Sequence, residues 1–279
     1  MPLKLPVGTP TGLHRFTTKA LLLIALGAFN PLLVLPSHAA DLAIVIDDVG
    51  YSLERSDRVI ALPGSLTLGV LPFAPHAAEA ARRAGVAGKE VILHQPMEPM
   101  SAGHVHDVDG TLTLKMGPEH FSRTFARAIK AVPNIVGVNN HTGSLLTQHA
   151  EPMNLLMEQI SARGLFFLDS RTTHKTVAHS VAQKWRVPSV QRDVFLDHVA
   201  SRDAVQYEFA RAIAIARRKG HAVVIAHPYR VSLNFLESAL ANLPDDVRLI
   251  GVSELVRPRR SITIARHGSL ASPHISLGQ

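Results

Sequence analysis

The chain alternates short apolar runs with longer stretches in which apolar residues recur at helical spacing. Residues 42–46 are apolar, three of them β-branched, and stop at Asp47-Asp48-Val49-Gly50. This predicts a buried strand that carries two carboxylates to its C-terminal rim. Residues 53–62 predict a helix ended by Pro63-Gly64, and 66–72 a second strand. An alanine-rich helix at 76–84 leads to a strand at 90–93 that runs into His94-Gln95-Pro96-Met97-Glu98. A long connection follows from 99 to 115, with a hairpin-like segment expected at 111–114. The helix at 118–131 puts Phe121, Phe125, Ala128 and Ile129 on one face. A strand at 135–138 then ends in Asn139-Asn140-His141-Thr142-Gly143-Ser144.

The same unit repeats to the end of the body. A helix at 152–162 leads to a strand at 165–168 that ends in Asp169-Ser170-Arg171, and a helix at 176–185 leads to the stretch 190–197 with Asp193 and Asp197. A helix at 202–218 precedes residues 222–226, which end in His227-Pro228-Tyr229, and one more helix precedes a strand at 247–252. Strands alternating with helices at this spacing imply parallel βα units, and seven or eight of them favour a closed or nearly closed α/β barrel. The runner-up is an open doubly wound sheet. It is weakened because no Gly-x-Gly-x-x-Gly follows the first strand, so a dinucleotide site has no support.

Targeting, charge and cysteine content narrow the setting. Lys4, Arg15 and Lys19 precede the apolar run 20–35, and Ser37-His38-Ala39 offers the small residues of a cleavage site, so residues 1–39 read as a secretory signal. Asn30 and Pro31 interrupt that run and leave it short for a membrane span, so no integral span is expected after cleavage. The chain has no cysteine, which is compatible with a bacterial periplasm or envelope and excludes thiolate chemistry. The formal charge of +7 suggests nucleic acid until its distribution is read. Three excess positive charges fall in the leader and four, Arg257, Arg259, Arg260 and Arg266, in residues 257–279, with no acid in either segment. The body at 40–256 is therefore neutral, no nucleic-acid partner is expected, and 257–279 reads as a flexible basic tail.

The chemistry lies in where the polar groups fall. Asp47 and Asp48, His94, His141, Asp169, Asp193 or Asp197, and His227 each follow an apolar strand core, and in a parallel barrel those ends converge on one face. The Asp47-Asp48 pair has a simpler reading as a helix cap, since Ser52 and Glu54 follow. So many equivalent positions are hard to explain by capping, and oxygen and imidazole groups suit a divalent metal such as zinc, held by two His and one carboxylate with an open position for water. A remaining Asp can take a proton and a remaining His can give one, which is metal-assisted hydrolysis. Arg171 is expected to orient a carboxylate at the site. His104, His106 and Asp107 fit no metal spacing and read as a solvated loop.

The segments Ile46-Asp47-Asp48-Val49-Gly50, Leu93-His94-Gln95-Pro96-Met97-Glu98-Pro99, Val138-Asn139-Asn140-His141-Thr142-Gly143-Ser144, Phe167-Leu168-Asp169-Ser170-Arg171-Thr172 and Ile225-Ala226-His227-Pro228 together resemble the divergent polysaccharide deacetylase family. The resemblance implies a distorted (β/α) barrel and removal of acetyl groups from an envelope carbohydrate. It implies Asp47 as catalytic base, Asp48 and His141 as metal ligands, and His227, in the pattern Ile-x-His, as acid. The related deacetylases place a second metal histidine four residues after the first, where this chain has Leu145. His94, from a neighbouring strand end, is then the expected replacement, with Asp169 or Asp193 as substitutes. The alternatives are an inactive carbohydrate-binding or scaffolding protein of the envelope, and a phosphodiesterase-like metal hydrolase on a similar barrel.

Overall fold

Among the described residues the apolar runs of the body become strands, and the amphipathic stretches become most of the helices that carry the chain back to start the next parallel strand. The computed structural model describes residues 39–101 and 108–257. Residues 1–38 of the expected leader, the expected tail beyond 257, and His104, His106 and Asp107 lie outside the described residues. In chain order the elements are β1 (Ala40–Val49), α1 (Leu53–Ala61), β2 (Thr67–Val70), α2 (Ala77–Val86), β3 (Glu90–Met97), α3 (Pro118–Ala131), β4 (Ile135–Thr142), α4 (Ala150–Ser161), β5 (Phe166–Asp169), α5 (Ala178–Lys184), β6 (Ser189–Gln191) and β7 (Val194–Phe195). They are followed by α6 (Arg202–Lys219), β8 (His221–Ala226), α7 (Arg230–Ala241), β9 (Val247–Ile250) and α8 (Val252–Val256). Among the described residues no helix is long and apolar enough to cross a membrane.

Every strand pairing is parallel, in the order β6-β5-β4-β3-β2-β1-β8-β7, with β9 also on β1. The two ends of this path are consecutive in sequence. Ser189–Gln191 pairs with β5, Val194–Phe195 pairs with β8, and between them Arg192 N donates to Asp169 O at 3.0 Å and Asp193 N to Val223 O at 2.8 Å. β6 and β7 are thus two halves of one bent segment that bridges the seam, and counting them as one gives eight strands. β2 and β9 share one edge of β1: β9 pairs with its first half and β2 with its second. The barrel expected from the alternation is the observed architecture, distorted at these two places.

Strand phase decides what each residue faces. On β1, Leu42, Ile44 and Ile46 pack outward into the large core beneath the helices, whereas Ala43 and Val45 point into the barrel with Ile92, Phe166, Leu168, Val223 and Ile225. Interior positions on β2 and β4 are glycines, because neighbours need the space: a Cβ on Gly69 would lie 2.0 Å from Asp47 Oδ1, and one on Gly137 would lie 2.5 Å from the Phe166 ring. Ser52 caps α1 by accepting a hydrogen bond from Arg55 N, so neither aspartate at the end of β1 is used as a cap.

The strands outrun the sequence expectation at one end. β3 continues through His94, Gln95 and Pro96 to Met97, and β4 continues to Thr142, so the polar motifs are themselves strand. Pro96 is tolerated because β2 ends opposite Leu93, leaving one side of β3 without a strand partner there. The expected hairpin at 111–114 is instead an isolated parallel bridge between Leu112 and Met97, in which Leu112 N donates to Pro96 O and Leu112 O accepts from Glu98 N.

Candidate functional site

The inward phase of four strands extends directly into polar residues at the C-terminal rim. Asp47 continues Ala43 and Val45, His94 continues Ile92, Asn139 and His141 continue Gly137, and His227 continues Val223 and Ile225. The β3–β4 register sets His94 opposite Asn139 and Pro96 opposite His141, which brings the two imidazoles side by side. Asp48 would point to the other face in a regular strand. Its backbone is left-handed, with φ of 56°, and β1 loses register between Ile46 and Val49, so the Asp48 carboxylate also turns into the site. Thr142 and Arg171 are left-handed at the ends of β4 and β5 as well, at 51° and 49°. Such a conformation costs a β-branched residue about 1–3 kcal/mol. Thr142 is held there by its Oγ1 donating to Met97 O and by its carbonyl accepting from Asn140 Nδ2 and Thr172 Oγ1.

Three donor atoms meet at the centre. His141 Nδ1 lies 3.0 Å from Asp48 Oδ1 and 3.0 Å from His94 Nε2, and His94 Nε2 lies 3.3 Å from Asp48 Oδ1. Asp48 Oδ1 is buried and, among the described residues, makes no hydrogen bond of acceptable geometry. An orphaned carboxylate oxygen facing two imidazole nitrogens is the arrangement a cation resolves. The circle through the three atoms has a radius of about 1.8 Å, just inside the ~2.0–2.2 Å that zinc keeps to nitrogen and oxygen. Asp48, His94 and His141 therefore fit a divalent ion, and they are the only such group among the described residues.

A second layer fixes these atoms. Asn139 Nδ2 donates to both oxygens of Asp47, at 3.0 and 2.9 Å, and to Ser170 Oγ at 3.3 Å. With its amide nitrogen committed to a carboxylate, Asn139 presents Oδ1 to His94 Nδ1 at 2.8 Å. His94 Nδ1 then carries the proton and Nε2 keeps its lone pair toward Asp48 and His141. On the other wall, Asp197 accepts from His227 Nδ1 at 3.0 Å, from His227 N at 2.7 Å and from Ser232 Oγ at 2.7 Å. This turns His227 Nε2 toward the cleft, 3.9 Å from Asp48 Oδ2.

The electrostatics separate the two adjacent acids. Burial pushes the Asp47 pKa up, and the nearby His94, His227 and Asn139 only partly offset it. Burial acts the same way on Asp48, but the close imidazoles of His141 and His94 override it and hold that carboxyl well below the usual range. Burial would lower His94, yet the charges of Asp47 and Asp48 leave its pKa raised. Burial would also lower His227, and the Asp197 hydrogen bond and charge more than compensate, so it too is raised.

The structure thus gathers Asp47, Asp48, His94, His141 and His227 in one place. Asp169 is buried but occupies the outward phase of β5, shared with Phe167, and its oxygens organise the following loop through Arg171 N, Thr176 Oγ1 and Gln191 Nε2. Asp193 is not at the site. It accepts from Lys219 Nζ at 2.6 Å and from Val223 N at 3.0 Å, next to Gly220 and His221 where β8 begins, which is the opposite end of the strands. Neither Asp169 nor Asp193, the expected substitutes for a missing ligand, joins the cluster. Arg171 lines the cleft without orienting a carboxylate: among the described residues its guanidinium has no ion-pair partner. Sequence reasoning gave no role to Asn139, Gly69 or Ser170. Only their inward strand phase marked them.

The cleft over the cluster has a volume of about 470 Å³, within the range of pockets that take small molecules, and is lined by Asp47, His94, His141, Arg171, Arg192 and His227 among others.

A family model described as divergent polysaccharide deacetylase matches residues 44–256. An uncharacterised protein, YibQ, of Escherichia coli (strain K12) is 38% identical over 231 residues, covering 82% of this chain and 72% of that protein. An uncharacterised protein of Haemophilus influenzae is 38% identical over 221 residues, covering 79% of this chain and 78% of its own length. The crystal structure of an uncharacterised protein from Agrobacterium tumefaciens C58 superposes with a TM-score of 0.72 at 24% identity, covering 78% of this chain and 89% of that one, and shares the fold.

Proposed function

Because the chain belongs to the divergent polysaccharide deacetylase family, we propose that it is a metal-dependent hydrolase that removes acetyl groups from a carbohydrate of the cell envelope. The observation that carries this reading is the meeting of Asp48 Oδ1, His94 Nε2 and His141 Nδ1 at 3.0–3.3 Å around an oxygen that no hydrogen bond satisfies. In the proposed site these three side chains hold a divalent ion, with zinc favoured by two imidazoles and one carboxylate. Such an ion supplies a polarised acyl oxygen and a bound water of lowered pKa.

The chain's own residues do the proton work. Asp47, raised by burial and pinned through both oxygens by Asn139, accepts a proton from the attacking water. His227, whose Nδ1 is held by Asp197, gives a proton from Nε2 to the departing sugar nitrogen or oxygen. Acetate and the free amine or alcohol are the products, which balances one water consumed. The expected leader at 1–39, cleaved near Ala39, places this activity outside the cytoplasm in the same proposal.

The test is metal analysis of the purified protein together with acetate release from acetylated oligosaccharides. About one equivalent of metal, lost together with activity in His141→Ala, is the expected result. Metal occupancy unchanged in His141→Ala would remove the assigned ligands. A wild-type protein that binds no metal and releases no acetate would favour the binding or scaffolding role, and release of phosphate instead of acetate would favour the phosphodiesterase-like one.

A further inference from the structure

Two arginines border the cleft, and among the described residues neither forms an ion pair with an acid. Arg171 is exposed and left-handed two residues past the end of β5, and Arg192 sits at the seam between β6 and β7. Arg192 is built into place. Its Nε donates to Ser170 O at 2.7 Å, one terminal nitrogen donates to Arg171 O at 2.9 Å, and its guanidinium carbon lies 5.4 Å from the centre of the Phe195 ring. Among the described residues no carboxylate forms an ion pair with either guanidinium, although Asp169 and Asp193 are near enough for their charges to be felt. The Arg171 charge also acts on Arg192, so the two repel. The body of the chain is formally neutral, and most of its other arginines with short contacts pair with acids: Arg58 with Glu237, Arg83 with Asp57 and Arg217 with Asp246.

Two like charges brought together on one rim, one of them partly buried and held by backbone carbonyls, are unfavourable until an anion lies between them. A planar guanidinium fixed on one edge keeps its remaining donors aimed at an oxyanion, where two-point binding to carboxylate or phosphate is strongest. Both arginines share the cleft with Asp47, His94, His141 and His227, so that anion would belong to the molecule whose acyl group reaches the cluster.

We propose that Arg171 and Arg192 form an oxyanion subsite beside the metal cluster, and that the carbohydrate taken by this cleft carries a carboxylate or phosphate close to its acetyl group. This rests on the reading of the cleft as a carbohydrate deacetylase site, and it narrows the substrate class to acidic, acetylated sugars.

The experiment measures binding to the full chain by calorimetry or by ligand-observed NMR, with two matched pairs of ligands. One pair is a tetramer of N-acetylglucosamine and a tetrasaccharide alternating N-acetylglucosamine with glucuronate. The other is N-acetylglucosamine and its 6-phosphate. A charged member should bind at least about 10-fold more tightly than its neutral counterpart, the worth of one charge-assisted hydrogen bond. Which pair shows the preference tells carboxylate from phosphate. Arg171→Gln, at an exposed side chain, and Arg192→Gln should each erase most of the preference by weakening the charged ligands more than the neutral ones. Charged ligands that bind no better than neutral ones, or not at all, overturn the proposal, and so does a preference that survives in both variants. Acetate release can be followed on the same ligands. Preference without release removes the hydrolase and keeps the anion subsite, whereas equal release from charged and neutral members does the reverse.

Discussion

Asp47 and Asp169 both lie near the end of an apolar parallel strand, and both are buried to within 1% of complete exclusion from solvent. They differ by one step of strand phase. Asp47 falls on the inward phase of β1 and meets Asn139 and the imidazoles, while Asp169 falls on the outward phase of β5 and ties down the loop at 171–176. Just past β5 the inward phase passes to Ser170, which contacts Asn139. An acid at a strand end is therefore not by itself a site residue in this barrel; an acid that continues the interior row is. β1 adds a second device, since the left-handed Asp48 lets two adjacent acids serve one centre.

The largest contrast is between direct replacements. Asp47→Asn should lower kcat by about 10²–10⁴-fold while metal content stays at the wild-type level, as expected for a lost general base. Asp169→Asn should instead cost about 1–3 kcal/mol of stability, read by denaturant titration, with little change in kcat of the folded protein. If the two replacements exchanged these effects, strand phase would not be the deciding variable. Gly69→Ala sharpens the point without touching an ionisable group. The added methyl would overlap Asp47 Oδ1 at 2.0 Å, and displacing that carboxylate should cost about 10²-fold in kcat. Activity within a factor of two of wild type would show that the Asp47 position is not critical.

Asn139→Ala removes the link between Asp47 and His94 and should weaken metal affinity by about 10–100-fold, measured by competition with a chelator. Asp197→Asn tests the opposite wall through pH. The His227 pKa is raised with Asp197 in place, so an acid at Nε2 remains protonated to higher pH, and activity falls as pH rises through that pKa. Loss of the Asp197 charge lowers it, and the alkaline limb of the pH–rate profile should move to lower pH. A limb that stays in place would assign it to another group. The smallest effect belongs to Asp193→Asn. Its ion pair with the half-exposed Lys219 lies away from the cluster, so stability should fall by at most about 1 kcal/mol and the rate should not change.

Much of the fold and of the site is legible in the sequence. The alternation of β-branched runs and amphipathic stretches implied the parallel barrel, and Asp47, Asp48, His94, His141 and His227 were marked by abrupt polar endings. Strand length is not legible, because His94-Gln95-Pro96 and Asn139-Asn140-His141 are polar and the first contains a proline, features that normally end a strand, yet here they are strand at the rim of the cleft. Phase was present in the sequence but unused: counting by twos from Phe166 and Leu168 selects Ser170 over Asp169. Asp193 and Asp197 could not be separated in this way. The bend between β6 and β7 resets the count, and only the pairing of Val194 with Val224 shows that Asp193 sits too low on the wall.

The position of β1 has a kinetic consequence. It is the first strand among the described residues, yet on one side it waits for β8 and on part of the other for β9, and its Asp41 bonds to Arg248 across 207 positions. A chain emerging from its N-terminus therefore holds an apolar strand with an open edge until nearly all of the body has appeared. Closing such distant pairs is slow, and exposed edges invite pairing with other chains in the meantime. Truncation just before Val247 should leave the first half of one β1 edge unpaired, with slow, concentration-dependent refolding as the measurable sign.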